Sequence, residues 1–207
     1  MGKIVATEFI SLDGVIEDPG GAEGYEHGGW SFRFDQGEEG RKFKLDELMA
    51  ADAQLLGRVT YEGFAQAWPT MTDPVGFADK MNGMPKYVVS STLQRPTWEN
   101  STILSSTDGV AELKNSHEGD ILIAGSAALV RALTDLGLVD EFRLMVFPLI
   151  LGTGKRLFDG AKLTRLKLAN VTEIGTDGVS IQRFTLGKPQ QHRTLTSGRR
   201  LAGTMLW

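Results

Sequence analysis

Three junctions hold the residues of this chain that could do chemistry. In Leu55-Leu56-Gly57-Arg58-Val59-Thr60-Tyr61 an apolar run meets a glycine and then a cation. The glycine admits a ligand to the backbone, the helix start offers unpaired N–H groups and a partial positive charge, and the guanidinium is a planar fork suited to phosphate. Ile121-Leu122-Ile123-Ala124-Gly125-Ser126-Ala127-Ala128-Leu129 repeats the design with no acid before Asp135, so an anion at that helix start meets no like charge. Val88-Val89-Ser90-Ser91-Thr92 puts hydroxyls at the end of an apolar run. Each has a plainer reading: a solvent-facing arginine, Ser126 capping its own helix, and turn-forming hydroxyls.

Other chemistries fail on spacing. Gly152-Thr153-Gly154-Lys155 lacks the leading glycine of a phosphate loop, because position 149 is Leu149, and Arg156 stands where a magnesium-binding hydroxyl belongs. Leu157 ends any dinucleotide fingerprint there. His117-Glu118 has Ile121 where a zinc protease needs its second histidine, and three histidines with no cysteine make a resident metal site improbable. Ser126 has Ala124, not glycine, two residues before it, so it is no hydrolase nucleophile elbow.

The elements that must position these junctions follow from hydrophobic period and breakers. Strands are expected at 3–10, 53–57, 85–91, 101–105, 120–125, 140–148, 164–175 and 178–186. Helices are expected at 38–51, 58–68, 74–83, 108–116 and 126–137. The pair Asp177-Gly178 signals a closing hairpin. Residues 18–40 carry seven glycines and the aromatics Tyr25, Trp30, Phe32 and Phe34, and read as a structureless lid over a pocket. Strand–helix alternation gives one α/β domain with a parallel sheet and an antiparallel edge.

Composition sets the outer bounds. The chain has 207 residues, 41% hydrophobic and 23% charged, which suits a folded globular domain. Residues 187–207 hold Lys188, Arg193, Arg199 and Arg200 and no acid, so the net charge of −4 leaves an acidic body with 18 basic against 26 acidic residues. Such a body disfavours duplex nucleic acid as a partner. No apolar run is long enough to span a membrane, and the N-terminus does not read as a secretory signal, so a cytoplasmic location is expected. The body is taken as residues 1–186, with 187–207 a flexible or appended tail.

The ordered series SLDG, LLGRVTYEGF, YVVSST, ILIAGSAALVRAL and LVDEFRLMVFPLILGTGKRLF resembles the dihydrofolate reductase-like superfamily. The branch is the one that includes the reductase domain of riboflavin-biosynthesis deaminase-reductases and stand-alone relatives, and the resemblance covers residues 3–186. It implies a three-layer αβα fold with a mixed, mostly parallel sheet, an antiparallel C-terminal hairpin, and NADPH laid across the strand ends. Gly57, Arg58 and Thr60 match the segment at the cofactor phosphates, and Ser90, Ser91 and Thr92 the adenosine end. Gly125, Ser126, Ala127 and Ala128 match the segment under the pyrophosphate, with Ser126 where the family has a second glycine.

On the same resemblance Gly152 and Gly154 close near the nicotinamide or substrate. Asp13 of the Ser11–Gly14 turn is a catalytic carboxylate that binds substrate or gives a proton; from the residues alone it is equally a turn-forming Asp-Gly. Trp30, Phe34 and Trp68 could wall the substrate pocket. The implied activity is NADPH-dependent reduction of a C=N or C=O bond in a small heterocyclic, pteridine- or pyrimidine-like, or conjugated substrate. The alternatives are a nucleotide-binding module of the same fold without reductase activity, and a flavin or deazaflavin cofactor. The resemblance also implies a homodimer, with strands 140–148 and 178–186 across the two-fold axis.

Overall fold

The computed structural model describes residues 1–187, so the expectations for the tail beyond Gly187 lie outside the described residues. In chain order the elements are β1 (Lys3–Ser11), α1 (Gly37–Ala50), β2 (Ala51–Gly57), α2 (Arg58–Ala67), α3 (Phe77–Gly83), β3 (Lys86–Val89), β4 (Ser101–Leu104), α4 (Asp108–Ser116), β5 (Asp120–Ala124), α5 (Ala127–Asp135), β6 (Glu141–Phe147), β7 (Leu166–Ile174) and β8 (Val179–Leu186), with 3₁₀ turns at Trp30–Arg33 and Trp68–Thr70. Every expected strand and helix is present. The third helix starts late, at Phe77, because the Asp73 carboxylate accepts the N–H groups of Val75, Phe77 and Ala78 and holds the preceding residues in a turn.

The strands form one sheet in the order β4-β3-β2-β5-β1-β6-β8-β7. The first six are mutually parallel, and β8 pairs antiparallel with both β6 and β7. Alternation along each strand divides the core. Ile4 and Ala6 of β1 pack with Leu129, Val130 and Leu133 of α5 and Val110 of α4. Val5 packs with Leu48 of α1, Tyr61 of α2 and Met81 of α3. Helices α1, α2 and α3 therefore cover one face and α4 and α5 the other. This is the three-layer αβα fold with an antiparallel C-terminal hairpin.

One expectation is corrected. Residues 18–36 are not a structureless lid: Asp18, 2% exposed, accepts the N–H groups of Ala22 and Tyr25, and Trp30 is fully buried. Of the aromatics along that segment Trp30 is core, Tyr25 and Phe34 are half-buried and Phe32 is exposed. Strand β6 lies between β1 and β8 in the sheet, so it offers no edge to a second copy. The free edge near the C-terminus belongs to β7, exposed along most of its length.

The crossovers locate a crevice. The connection leaving β5, through α5, runs on one face, while those leaving its neighbours β2 and β1 run on the other. Opposed connections splay apart beyond the carboxyl ends of such strands, which is where open α/β sheets bind ligands.

Candidate functional site

The carboxyl ends of β2 and β5, and the part of β1 just past its pairing with β5, bring together Gly57, Gly125 and Glu8. Gly57 opens α2 and Gly125 precedes α5, and neither helix has an acid in its first turn. The two junctions interlock through Ser126. Its Oγ accepts the Gly57 N–H at 2.9 Å and hydrogen-bonds Thr60 Oγ1 at 2.8 Å. A Cβ at Gly57 would collide with Ser126 Oγ, and one at Gly125, where φ is +75°, would sit 3.0 Å from the Thr60 methyl. Only glycine allows so close an approach.

Ser126 departs from the cap role expected of it. It stands at the N-cap position with φ 63° and ψ 63°, a left-handed conformation rare for a residue with a Cβ, and makes no side-chain cap bond to α5. Its hydroxyl turns sideways onto α2's junction instead. Ala127 and Ala128 form the first turn of α5, the first half-buried and the second exposed. The exposed Arg58 guanidinium pairs with Glu62 one turn along α2, at 2.7 and 3.0 Å.

At the end of β3, Ser90 Oγ accepts the N–H groups of Thr92 and Leu93, while Ser91 and Thr92 are exposed. The hydroxyls there close a turn. They lie at the end of the strand next to β2, on the side away from β5.

On the β1–β6 side, the loop after β1 is stitched to residues 149–158. Asp13 accepts from Ser11 Oγ at 2.7 Å and from the N–H groups of Leu151 and Gly152 at 3.1 and 2.9 Å, and Arg156 reaches it at 3.2 Å. Burial opposes ionisation here, but the Ser11 hydroxyl and the two amides outweigh it and hold the carboxyl well below the usual carboxylate range. Asp13, so bonded, staples the loop after β1 to residues 151–156 with its charged form favoured. Gly152 and Gly154 shape the stitched loop at φ +79° and +101°, and Tyr25 Oη donates to the Thr153 carbonyl across it.

The expected aromatic walls separate. Trp30 is a core residue: its indole N–H donates to the Glu17 carbonyl and its ring meets Phe147 edge-on. Trp68 packs between Phe64 and Phe77, at the end of α2 far from Arg58. Phe34 remains half-buried, edge-on to Phe147, beside the half-buried Phe9.

Glu8 was not singled out by sequence, although it is the one acid within the apolar alternation of KIVATEFIS. It is 6% exposed, and both carboxyl oxygens share the Gly125 N–H, at 3.0 and 3.1 Å. Burial pushes its pKa up to about 8, against the pull of the Gly125 N–H and Lys44, with Glu47 adding to the rise. The preceding Thr7 joins Glu47 and Lys44 of α1 in a separate hydrogen-bonded group. Among the described residues no cluster of His, Cys, Asp and Glu could hold a metal ion, and no helix is long and apolar enough to cross a membrane.

Comparison with known proteins agrees with the fold. The profile of the RibD C-terminal domain matches residues 2–180. Two uncharacterized proteins of Bacillus subtilis are related: YyaP, 33% identical over 144 residues covering 66% of this chain and 75% of that protein, and YwjB, 29% identical over 176 residues covering 84% and 92%. Among solved structures, a riboflavin biosynthesis-type protein from Shewanella sp. PV-4 aligns with TM-score 0.69 at 17% identity, covering 90% of this chain and 99% of that one. A pyrimidine reductase-like protein from Corynebacterium diphtheriae aligns with TM-score 0.58 at 15% identity, covering 90% and 92%. Dihydrofolate reductase from Enterococcus faecalis, solved with NADP(H) and RAB-propyl, aligns with TM-score 0.55 at 15% identity, covering 89% and 96%.

Proposed function

This chain belongs to the RibD C-terminal domain family, and on that premise we propose that it is an NADPH-dependent reductase of a small heterocyclic, pteridine- or pyrimidine-like, or conjugated substrate, acting on a C=N or C=O bond. The observation that carries the reading is the meeting of two glycine-opened, acid-free helix N-termini at the switch point of the sheet. The residues present fit such a cofactor in their chemistry, because the exposed Arg58 guanidinium and two helix starts without an acid stand together where phosphates would lie.

Gly57, Arg58 and Thr60, with Gly125, Ser126, Ala127 and Ala128, would hold the phosphates. Ser90, Ser91 and Thr92 would face the adenosine end, and Gly152 and Gly154 the nicotinamide side. Bound there, NADPH supplies the hydride for the substrate carbon. Arg58 leaves Glu62 to meet a phosphate; an exposed pair is worth at most about 1 kcal/mol, less than a charge-assisted bond to phosphate returns. Phe9 and Phe34 supply apolar surface near the end of β1, and the Asp13 staple fixes the loop beside it.

Titrating the protein with NADPH and following tryptophan fluorescence tests the reading. Saturable binding is expected; its absence up to millimolar NADPH would overturn it. One observation favours a second reading, a nucleotide-binding module of this fold without reductase activity: Ser126 Oγ already takes the Gly57 N–H that a phosphate oxygen would accept. Stereospecific NADPH oxidation by an acceptor from a pteridine, pyrimidine and quinone panel decides for the reductase. The same proposal includes a homodimer, formed at the β7 end of the sheet.

A further inference from the structure

A two-electron reduction of a C=N or C=O bond needs a proton for the heteroatom as well as a hydride for the carbon. The acids and hydroxyls around the crevice differ in what they can give. Asp13 is ionised and filled by its loop. Ser126 Oγ is committed to Gly57 and Thr60. Glu47 lies on the α1 face of the sheet, away from α5, its Oε1 held by Thr7 and Lys44 and its Oε2 facing the Arg143 guanidinium at 3.8 Å. Glu8 is different. Its only hydrogen bonds among the described residues are from one N–H, that of Gly125, shared by both oxygens. A carboxyl group has about four acceptor sites, or one donor and the remaining acceptors when protonated, and buried polar groups are normally satisfied. Glu8 therefore retains hydrogen-bonding capacity on β1, beside the half-buried Gly125 that follows the carboxyl end of β5.

We propose that Glu8 is the proton donor of the reduction, hydrogen-bonding the heteroatom of the substrate's C=N or C=O bond at the crevice between β5 and β1. The inference rests on the reductase reading above. In the step, hydride from NADPH forms the new C–H bond, the Glu8 O–H bond breaks, and an N–H or O–H bond forms on the substrate. The carboxylate left behind is reprotonated from solvent. The neighbours of Glu8 suit this role. Leu144 of β6, paired with it in register, and Ala124 of β5, paired with the preceding Thr7, carry no charge. Lys44 of α1, which favours the carboxylate, is opposed by Glu47 on the same helix, and burial keeps the acid protonated at neutral pH.

The intact protein and its Glu8→Gln and Glu8→Asp variants provide the test. NADPH affinity, read by fluorescence, is expected to agree within about twofold across the three. With an acceptor from the pteridine and pyrimidine panel, single-turnover NADPH oxidation by the wild type is expected to fall tenfold per pH unit above about pH 8. Glu8→Gln is expected to lose at least about 100-fold with no such limb, and Glu8→Asp to keep part of the rate. Independently of turnover, the infrared difference spectrum should show a protonated carboxyl band at pH 6.5 that disappears by pH 9.5 and is missing from Glu8→Gln. A Glu8→Gln rate within about threefold of wild type, or an ionised Glu8 at pH 6.5, would overturn the inference while leaving the cofactor reading intact. Failure of the wild type to bind NADPH, or to oxidise it with any acceptor of the panel, would overturn the reductase reading and the inference with it.

Discussion

Glu8 and Asp13 are five residues apart, carry the same functional group, and are driven to opposite proton states. Glu8 is buried with one N–H shared between its two oxygens, so the neutral form is favoured; Asp13 has a hydroxyl, two amides and a guanidinium, so the charged form is favoured. The Glu8 shift has a consequence for stability. Its folded pKa, about 8, lies above the ordinary glutamate value of 4.5, so the protein binds more protons folded than unfolded between these limits. The stability it contributes is complete below about pH 4.5 and is lost as pH rises through 8. Glu8→Gln, fixed in the neutral state, should melt close to wild type at pH 5 and well above it at pH 8.5. The gap in thermal denaturation should correspond to a few kcal/mol at most. A gap independent of pH would contradict the assignment.

At the scale of elements, the site is made by two strand-to-helix junctions that each depend on the other. Gly57 and Gly125 lie 68 positions apart in sequence. Ser126 links them by bending into a left-handed conformation that costs about 1 kcal/mol or more for a residue with a Cβ. Ser126→Gly removes that strain and releases the Gly57 N–H and the Thr60 hydroxyl for a phosphate oxygen. One recovered charge-assisted hydrogen bond corresponds to about a tenfold tighter NADPH dissociation constant, measurable by calorimetry. Unchanged or weaker affinity would mean that the hydroxyl serves the cofactor rather than competing with it.

For the whole molecule, the two ends of the sheet differ. After β6 the chain runs through a loop instead of a helix, so the α5 side of β6, β8 and β7 is covered only in part. A β-bulge between Leu168 and Asn170 brings Leu168 and Val171 to one face, opposite Phe184 and Gln182. Both side chains are about half exposed, at 51% and 50%. Beside them a shallow depression of about 280 Å³ is lined by Phe142, Phe158, Leu163 and Leu166. Apolar side chains along a sheet edge favour a second copy of the same surface. Light scattering should give a dimer for the wild type and a monomer for Leu168→Glu/Val171→Glu. A monomeric wild type would remove the homodimer from the proposed function.

The sequence by itself determined the elements and their alternation, because each rests on neighbours within a few residues: the apolar run of β5, the spacing of Leu129, Val130 and Leu133 in α5, the Asp177-Gly178 turn. It also located the glycine junctions, since a missing Cβ is visible in the one-letter code. Only the tertiary structure decided what the polar groups do. Ser126 became a bridge and not a cap because Gly57 lies beside it. Trp30 became core because Phe147 comes from β6, and Trp68 joined Phe77 on the far side of α2. The surroundings of Asp13 and Glu8 are set by amides from residues 138 and 117 positions away. Proton state depends on burial and on which donors arrive, and both are properties of contacts between distant segments rather than of the local chain.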